Sequence, residues 1–435
     1  MREQFLPFII QTALIIIIEL FVFAAACAAY VLIKKRRPFY SENDYCGHIW
    51  FVCMSVCLAA FSVEILCDWN AIFNIVLKTA NDSFMDFFNP VSYILSSQPY
   101  EAGLNACYSG LSFLFYLIIA KITAAQNMPA EMIKSSVSGQ YALFFYTLIT
   151  ALLFCILVFK FEKSKNLPRK IILTTLIFCS APFIYQFERA NIIFIANLFI
   201  TAFFICFQSK NKKIFEIGLI CLAAAAAIKI YPAVFILLLI KEKKLKEVLR
   251  FVLYFLLLFT VPFFIIGSAD TISCFAESLS ILSGISKGII SSHWVSLHNF
   301  LAVPCAYFDA LYLITPMRIL FTILVGVSFF MEKSLWKSAA LLTALIILLP
   351  HRSAQYVVIL TVAPLILFLN DSDKKLKDII YSVLFAGTFI PIAVKSACLF
   401  TSSVMFENVS LIFLSVLIIY ETGAGIFQKI KGTNA

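Results

Sequence analysis

Charge is scarce in this sequence, and its scarcity excludes most soluble folds. The chain has 435 residues, of which only 13% are charged and 62% are hydrophobic. Soluble domains carry roughly 25% charged residues. The apolar residues occur in continuous runs of about 18 or more, long enough to cross a bilayer as helices. We therefore predict an all-α polytopic membrane protein. The runs do not alternate, which excludes a membrane β-barrel.

The cysteine spacings typical of metal and redox sites are also missing. None of the 13 cysteines stands in Cys-x-x-Cys spacing, and no Cys/His cluster suggests zinc. Most lie in apolar runs, where buried cysteine behaves as a small hydrophobe. No cluster of carboxylates suits a metal ion, so we expect no metal and no cofactor. The first apolar run, 8–33, is too long for a cleaved signal peptide and should remain as a helix.

The net charge of +10 is distributed in a way that argues against nucleic-acid binding. The basic residues form short clusters at the ends of apolar runs, as cytoplasmic loops do under the positive-inside rule. We therefore predict a multi-pass protein of the cell (plasma) membrane, with the basic loops and the C-terminus in the cytoplasm. The basic clusters lie at 34–37, 160–170, 210–213, 241–250, 333–337, 374–377 and 429–431.

Placing every basic cluster inside gives a topology of about 13 crossings, with the N-terminus outside. The run 110–122 is too short to span, and we predict a surface-lying or re-entrant helix within a long first outer loop that begins near residue 68. The run 214–240 starts and ends at inside clusters, so we predict a hairpin broken at Lys229-Ile230-Tyr231-Pro232. A second long outer loop is predicted at 268–315. The remaining predicted helices are 8–33, 48–67, 141–159, 171–185, 192–207, 251–267, 317–331, 338–350, 355–370, 379–397 and 408–427.

In this topology the unusual polar residues share the outer side. Ionisable groups at membrane depth are costly and indicate function by default. A carboxylate among several cations suits transfer onto a hydroxyl from a phosphate leaving group. The carboxylate would act as general base, and the cations would stabilise the departing phosphate. The residues concerned are Asp86, Glu188, Arg189, Asn191, Lys229, His351 and Arg352.

Plainer interpretations stay open for each of these residues. Asp86 could be an ordinary helix N-cap, and Asp68 and Asp82 are rival carboxylates in the same loop. The cations could be structural: a surface ion pair, a lysine snorkelling to the interface, or residues at a helix end. Those three interpretations apply in turn to Glu188-Arg189, Lys229 and His351-Arg352.

Four motifs carry a resemblance to a known family. In chain order they are Asp86-Phe87-Phe88-Asn89 with Pro99-Tyr100 and Tyr108, then Arg189-Ala190-Asn191 with Lys229-Ile230-Tyr231-Pro232, then Ser296 to Leu301, then His351. Together they resemble the polyprenol-phosphate-mannose-dependent mannosyltransferases, glycosyltransferase family 87, which has the C-type glycosyltransferase fold. The chain departs from the family pattern at three places. Tyr108-Ser109-Gly110 replaces Tyr-Pro-Pro, Gln98 stands where a glycine-containing turn is usual, and Glu188-Arg189 replaces small residues.

The resemblance covers roughly residues 48–370. It predicts one integral membrane domain, 1–435, in which 8–33 is an extra N-terminal helix, 48–370 is the glycosyltransferase-like core, and 379–435 holds the C-terminal helices.

The resemblance also implies an activity. It predicts a hexosyltransferase that moves a hexose, mannose first of all, from a polyprenyl-phosphate sugar to an envelope glycolipid or glycan at the outer face. The reaction would invert the anomeric centre, with Asp86 as general base. Arg189, Lys229, His351 and Arg352 would bind the donor phosphate. Sugar or acceptor contacts would come from Asn89, Tyr100, Tyr108, Asn191, Trp294 and His298.

Two other functions compete with this one. A transporter or flippase of lipid-linked sugars would also need charges in a membrane cavity, but such transporters show paired halves with broken helices near the midplane. This sequence has one broken hairpin and no internal repeat. A non-catalytic scaffold for envelope assembly would not need Asp86 at all.

Overall fold

The protein is described by a computed structural model that covers residues 3, 5–36, 45–76, 80–94, 100, 107–123, 128–267, 270–286, 290–391 and 399–433. Throughout these residues the regular structure is helical, with a single isolated antiparallel bridge between Trp294 and Ala354. The predicted all-α fold class is therefore confirmed. Pro99 and Gln98 of the first motif lie outside the described residues.

The chain forms two compact units, and each is described by itself. The terminal unit comprises Met1–Val76, Glu162–Ile184 and Ile290–Ala435, and the central unit comprises Leu77–Phe161 and Tyr185–Ile289. The interpretation of the whole chain as one integral membrane domain stays a prediction.

The central unit consists of helices that surround a core rich in phenylalanine. Phe203, Phe204 and Phe235 are fully buried in it. Helix α10 (Lys212–Ile228) packs against α9 (Ile193–Phe207) and α12 (Leu245–Ile266), and α4 (Gly110–Ile122) packs against α3 (Met85–Tyr93), α10 and α12. The helices are α3 (Met85–Tyr93), α4 (Gly110–Ile122), α5 (Ala130–Ser135), α6 (Val137–Phe161), the last residues of α8 (Ala181–Arg189), α9 (Ile193–Phe207), α10 (Lys212–Ile228), α11 (Ile236–Lys241), α12 (Leu245–Ile266) and α13 (Asp270–Ser286).

The terminal unit is also a helical assembly. Its last helix, α19 (Ser402–Thr433), packs against α1 (Phe5–Arg36), α15 (Ile314–Met331), α16 (Leu335–Leu348) and α18 (Ile379–Gly387). Trp50 and Tyr381 are among its fully buried side chains. Its helices are α1 (Phe5–Arg36), α2 (Tyr45–Cys67), α7 (Leu167–Phe178), the start of α8, α14 (Leu297–Tyr307), α15 (Ile314–Met331), α16 (Leu335–Leu348), α17 (Val362–Asn370), α18 (Ile379–Gly387) and α19 (Ser402–Thr433).

Several helices are long and apolar enough to cross a membrane. Among the described residues there are five, or six if the bent pair α7 and α8 counts as one span. The predicted number of about 13 is not confirmed, because many predicted crossings form shorter apolar helices. The five helices are Tyr45–Cys67, Val137–Phe161, Leu245–Ile266, Leu311–Met331 and Ser402–Gly425.

Two predicted irregularities are present. The short run 110–122 forms α4 with those bounds, and its position in the membrane stays a prediction. The run 214–240 is broken where predicted. Helix α10 ends at Ile228, Lys229 is extended, and a short 3₁₀ helix, Tyr231–Phe235, leads into α11.

Other predicted boundaries are wrong. The long loop 268–315 contains two helices, α13 and α14. Both are shorter or more polar than a spanning run, which is why hydropathy alone placed them in a loop. The predicted helix 171–185 is interrupted between Phe178 and Ala181 and then continues to Arg189. The predicted helix 379–397 ends at Gly387.

Candidate functional site

The carboxylate of Asp86 is held by two side chains that the sequence places about a hundred residues away. Asp86 lies in the first turn of α3 and is 18% exposed. Its Oδ1 accepts a hydrogen bond from Nη2 of Arg189, and its Oδ2 accepts one from Nδ2 of Asn191 at 2.8 Å. Hydrogen bonds from a cation and an amide fix the orientation of this carboxylate.

The turn between α8 and α9 presents these two partners. Ala190 has a φ of 50°, in the left-handed region, which lets the chain reverse within one residue. Oδ1 of Asn191 accepts from the amide of Ile193 at 3.0 Å at the start of α9. The Asn191 carbonyl accepts from Tyr146 at 2.9 Å and from Gln186 at 2.7 Å. These bonds hold the turn rigid. The side-chain nitrogen of Asn191, Nδ2, takes no part in them and donates to Asp86.

The end of the Arg189 side chain bridges two carboxylates. Its Nη2 pairs with Asp86, while its Nη1 lies 3.0 Å from Oδ2 of Asp82 and donates to the Asp82 carbonyl at 2.8 Å. Asp82 is 54% exposed and Arg189 is 10% exposed. Glu188, the neighbouring residue, is half-buried. Two carboxylates therefore pair with one guanidinium, so Arg189 is already charge-compensated within the protein.

Two tyrosines support the backbone of Asp86. Hydroxyls of Tyr108 and Tyr116 donate to the Asp86 carbonyl at 3.3 and 3.2 Å. Tyr100 donates in turn to the Tyr108 carbonyl at 2.7 Å. Asn89 lies one turn beyond Asp86 on α3 and is half-buried.

Tyr100 itself is a packing residue in this structure. It is 7% exposed, and its ring packs against three phenylalanines. Its contact with a sugar stays a prediction. Burial also raises the pKa of its hydroxyl. The three phenylalanines are Phe113, Phe263 and Phe275, with ring centroids 5.1 to 6.2 Å away.

Lys229 is brought to the same group of residues by the break after α10. Its ammonium lies 4.8 Å from the centroid of the Tyr108 ring, the distance of a cation–π contact. Hydroxyls of Ser109 and Ser112, at the start of α4, donate to the carbonyl of Ile228 at 3.1 and 2.9 Å. These bonds join the N-terminus of α4 to the C-terminus of α10, which fixes Lys229 beside Tyr108.

The terminal unit holds the other predicted residues in a group of its own. The ring of His351 lies 4.4 Å from that of His298 in an edge contact. The exposed guanidinium of Arg352 lies 5.5 Å from the Trp294 ring. The backbone bridge between Trp294 and Ala354, with a 2.7 Å bond from the Val295 amide to the Ser353 carbonyl, holds the two segments together.

Buried polar residues of the Ser296 to Leu301 motif order this group. Ser296 caps α14 by accepting from the Asn299 amide at 3.1 Å, and it donates to the His351 carbonyl at 3.1 Å. Asn299 is fully buried and donates to the carbonyls of Trp294 and Ser291. The motif therefore has a structural role in positioning Trp294 and His351.

Arg318 is a residue that the sequence reasoning missed. Its Nη1 lies 2.9 Å from Nε2 of His351, and its Nη2 donates to the carbonyl of Leu349. A signal was present, because Arg318 is the only charged residue of the apolar helix α15. An isolated charge in such a helix indicates function by default.

The structure thus divides the predicted residues between two groups. The central unit brings together Asp86, Asn89, Tyr100, Tyr108, Arg189, Asn191 and Lys229. The terminal unit brings together Trp294, His298, His351 and Arg352. In the described part of the chain, no three His, Cys, Asp or Glu side chains converge as a metal ion would require, and independence of metals stays a prediction.

Comparison with known proteins identifies a family. Residues 91–369, more than half of the chain, match the model of glycosyltransferase family 87. The matched range includes Arg189, Asn191 and Lys229 and begins five residues after Asp86. Neither a curated protein nor a solved structure matches the chain. The all-helical architecture is consistent with the C-type glycosyltransferase fold.

Proposed function

The chain belongs to glycosyltransferase family 87 and is a membrane glycosyltransferase with a sugar donor and an acceptor, and from this premise we propose that Asp86 is its general base. The proposed donor is a polyprenyl-phosphate hexose, with mannose first among the sugars. The proposed acceptor is an envelope glycolipid or glycan, reached at the outer face of the cell membrane.

The observation that carries the proposal is the pairing of Asp86 with Arg189 and Asn191. A general base must be ionised and correctly oriented before the acceptor hydroxyl binds. Two donors on one rigid turn hold both carboxylate oxygens of Asp86, which is still 18% exposed. A carboxylate with this support can accept a proton from a hydroxyl without first reorganising.

The reaction follows as one displacement. As Asp86 removes the proton, the acceptor oxygen forms a bond to the anomeric carbon of the sugar. The bond from that carbon to the phosphate oxygen breaks, and the prenyl phosphate leaves with the electron pair. Attack opposite the leaving group inverts the anomeric configuration. The developing charge is on the phosphate, so a nearby cation stabilises the transition state.

Lys229 is the proposed cation of the central unit. Arg189 is compensated by Asp82 and Asp86, whereas the ammonium of Lys229 lies against the ring of Tyr108. The hydroxyl of Tyr108 donates to the Asp86 carbonyl, so this contact places the Lys229 ammonium close to the proposed base. For the terminal unit by itself, we also propose two roles. His351 and Arg352 would bind phosphate, and Trp294 and His298 would contact a sugar.

The test is transfer activity in membranes that contain the chain. The membranes are incubated with a panel of radiolabelled prenyl-phosphate sugars, and labelled product is extracted and counted. Positioned proton transfer is typically worth about 10²–10⁴-fold, so Asp86→Asn should lower turnover by about two orders of magnitude or more. Binding of the donor should be retained, because the substitution preserves the shape of the side chain.

Asp68→Asn is the matched control. Asp68 caps a short 3₁₀ helix through a 3.0 Å bond from the Asn70 amide, and an asparagine can make the same bond. The transfer activity of the Asp68→Asn variant should stay within about twofold of that of the parent protein. Near-normal transfer by Asp86→Asn, together with loss of transfer in Asp82→Asn, would show that the base has been assigned to the wrong residue.

A further inference from the structure

Helix α19 carries an acidic side chain that has no access to solvent. Glu407 is 0% exposed, and it lies near the start of Ser402–Gly425, the part of α19 that is long and apolar enough to span a membrane. None of the ion pairs found among the described residues includes Glu407. Burying an unpaired carboxylate is very unfavourable, so such a group is bound to a cation or is neutral.

The hydrogen-bond partner of Glu407 is the side chain of Gln355, which is also 0% exposed. Nε2 of Gln355 donates to Oε1 of Glu407 at 2.8 Å and to Oγ of Ser403 at 3.0 Å, so both of its hydrogens are used. The other two oxygens of the pair, Oε2 of Glu407 and Oε1 of Gln355, are buried and have no hydrogen-bond partner in the described part of the chain. As the pair stands, two buried acceptors both need a donor.

One proton satisfies both of these oxygens. A carboxyl group and a primary amide that share one hydrogen bond can form a second one between their remaining oxygens when the acid is protonated. With the proton on Oε2, Glu407 donates to Oε1 of Gln355 and still accepts from Nε2. The protonated acid is neutral, which also removes the cost of burying a charge.

The backbone of Gln355 joins this pair to the segment that carries Trp294. The amide of Gln355 donates to the carbonyl of His293 at 2.9 Å, and the preceding residue, Ala354, forms the antiparallel bridge with Trp294. The side chain of Gln355 is anchored in α19, whereas its backbone is bonded to the segment 291–296. Loss of the anchor should therefore loosen that segment.

We propose that Glu407 binds a proton and, as a neutral acid paired with Gln355, is a positioning residue for the segment 291–296. The proton and the pairing rest on the geometry of the terminal unit. The effect on sugar transfer rests on the proposed function, in which Trp294 contacts the sugar. Glu407 lies beyond residues 91–369, so the family match assigns it no role.

The main test is Glu407→Gln, because an amide at this position offers the same donor and acceptor as the protonated acid. In detergent, this variant should keep the melting temperature of the parent protein. Its infrared spectrum should lose one band, the carbonyl stretch of a protonated carboxyl group. Glu407→Met has a similar shape without the polar atoms, and it should speed hydrogen–deuterium exchange of the amides in 291–296 about tenfold. In Glu407→Gln this exchange should match the parent.

Asn408→Ala is the matched control. Asn408 is the next residue of α19 and is also 0% exposed, but its side-chain nitrogen donates to the Val404 carbonyl of the same helix at 2.9 Å. Its removal should lower the melting temperature and leave both the infrared band and the exchange of 291–296 unchanged. If Asn408→Ala loosens the segment as much as Glu407→Met does, Glu407 contributes only to general stability, and the positioning role is wrong.

An ionised Glu407 would overturn the proposal. In that case Glu407→Gln melts lower, its segment 291–296 exchanges faster, and no protonated carboxyl band is lost, which would indicate a bound cation instead. Transfer kinetics are measured separately. Glu407→Met should raise the donor KM about tenfold with kcat within about twofold of the parent, since the proposed base lies in the central unit. An unchanged donor KM would contradict the link to transfer. An inactive parent protein with the expected spectra and exchange would contradict the proposed reaction only.

Discussion

At the residue scale, the guanidinium of Arg189 pairs with two different carboxylates, one at each terminal nitrogen. A lysine keeps the charge but offers a single nitrogen, so it cannot hold Asp82 and Asp86 at the same time. Misplacement of a catalytic group by about 1 Å can cost 10²-fold in rate. We therefore expect Arg189→Lys to lower kcat by about 10- to 100-fold while the KM for the lipid-linked donor is unchanged.

Arg250→Lys is the control for this prediction. Arg250 also pairs with two carboxylates, Glu216 and Glu247, but it is 44% exposed, where ion pairs contribute little. Its transfer kinetics should match those of the parent. A raised donor KM with normal kcat in Arg189→Lys would favour the original prediction that Arg189 binds the donor phosphate, and would contradict its role in holding Asp86.

The sequence could predict which residues come together in the central group, but not how they contact one another. Asp86, Arg189, Asn191 and Lys229 were identified from their types and from a topology that put them on one side. In the structure, Arg189 and Asn191 hold Asp86 directly. This contact depends on the reversal of the chain at Ala190, which no local sequence pattern specifies. Tyr100 matched a family motif, yet its environment is set by packing against distant phenylalanines.

At the element scale, the break after α10 leaves a carbonyl that side chains must satisfy. In a continuous helix the carbonyl of Ile228 would accept from the amide of residue 232, but Pro232 has none. Ser109 and Ser112 donate to this carbonyl instead. The departure from Tyr-Pro-Pro in this chain therefore supplies one of these two hydroxyls, that of Ser109.

Removing both hydroxyls should destabilise the break. A lost hydrogen bond costs about 1 kcal/mol, and a buried group left unsatisfied costs about 1–3 kcal/mol. We expect the Ser109→Ala/Ser112→Ala double variant to melt several degrees lower in detergent, measured by intrinsic fluorescence, and to lose transfer activity as Lys229 moves from Tyr108. Ser62→Ala removes an exposed serine–carbonyl bond in α2 and should change neither property. Unchanged melting of the double variant would contradict this account.

Sequence patterns located the irregular elements better than the ordinary ones. The bounds of α4 and the break at Lys229 followed from short length and from proline, which are local properties. Helices α13 and α14 were missed because hydropathy averaged over a spanning window does not detect short or half-polar helices. The interruption between Phe178 and Ala181 is marked by Pro182, which has no amide to bond to the carbonyl of Phe178 in a continuous helix. This local signal was present, and the predicted helix 171–185 did not use it.

At the scale of the whole molecule, helix length limits how many segments can cross a bilayer unaided. Helix α9 has 15 residues, which at about 1.5 Å per residue is shorter than the ~30 Å hydrocarbon core. The predicted topology counted such helices as crossings because the basic clusters required it. Helix length and the placement of the basic clusters therefore predict different numbers of spans. Determining which helix ends lie outside the membrane distinguishes the two.

The central unit offers a direct measurement of sidedness. In a cysteine-free background that retains activity, single cysteines are placed at Asn81, Glu131 and Lys160, all exposed residues of this unit. If α4 lies at the surface, Asn81 and Glu131 share the outer side, and only α6 crosses before Lys160. An impermeant maleimide added to intact cells should then label the cysteines at 81 and 131 and should reach 160 only after permeabilisation. Should the cysteine at 131 be protected while that at 160 is labelled from outside, α4 crosses the membrane, and the positive-inside assignment of the 160–170 cluster is wrong.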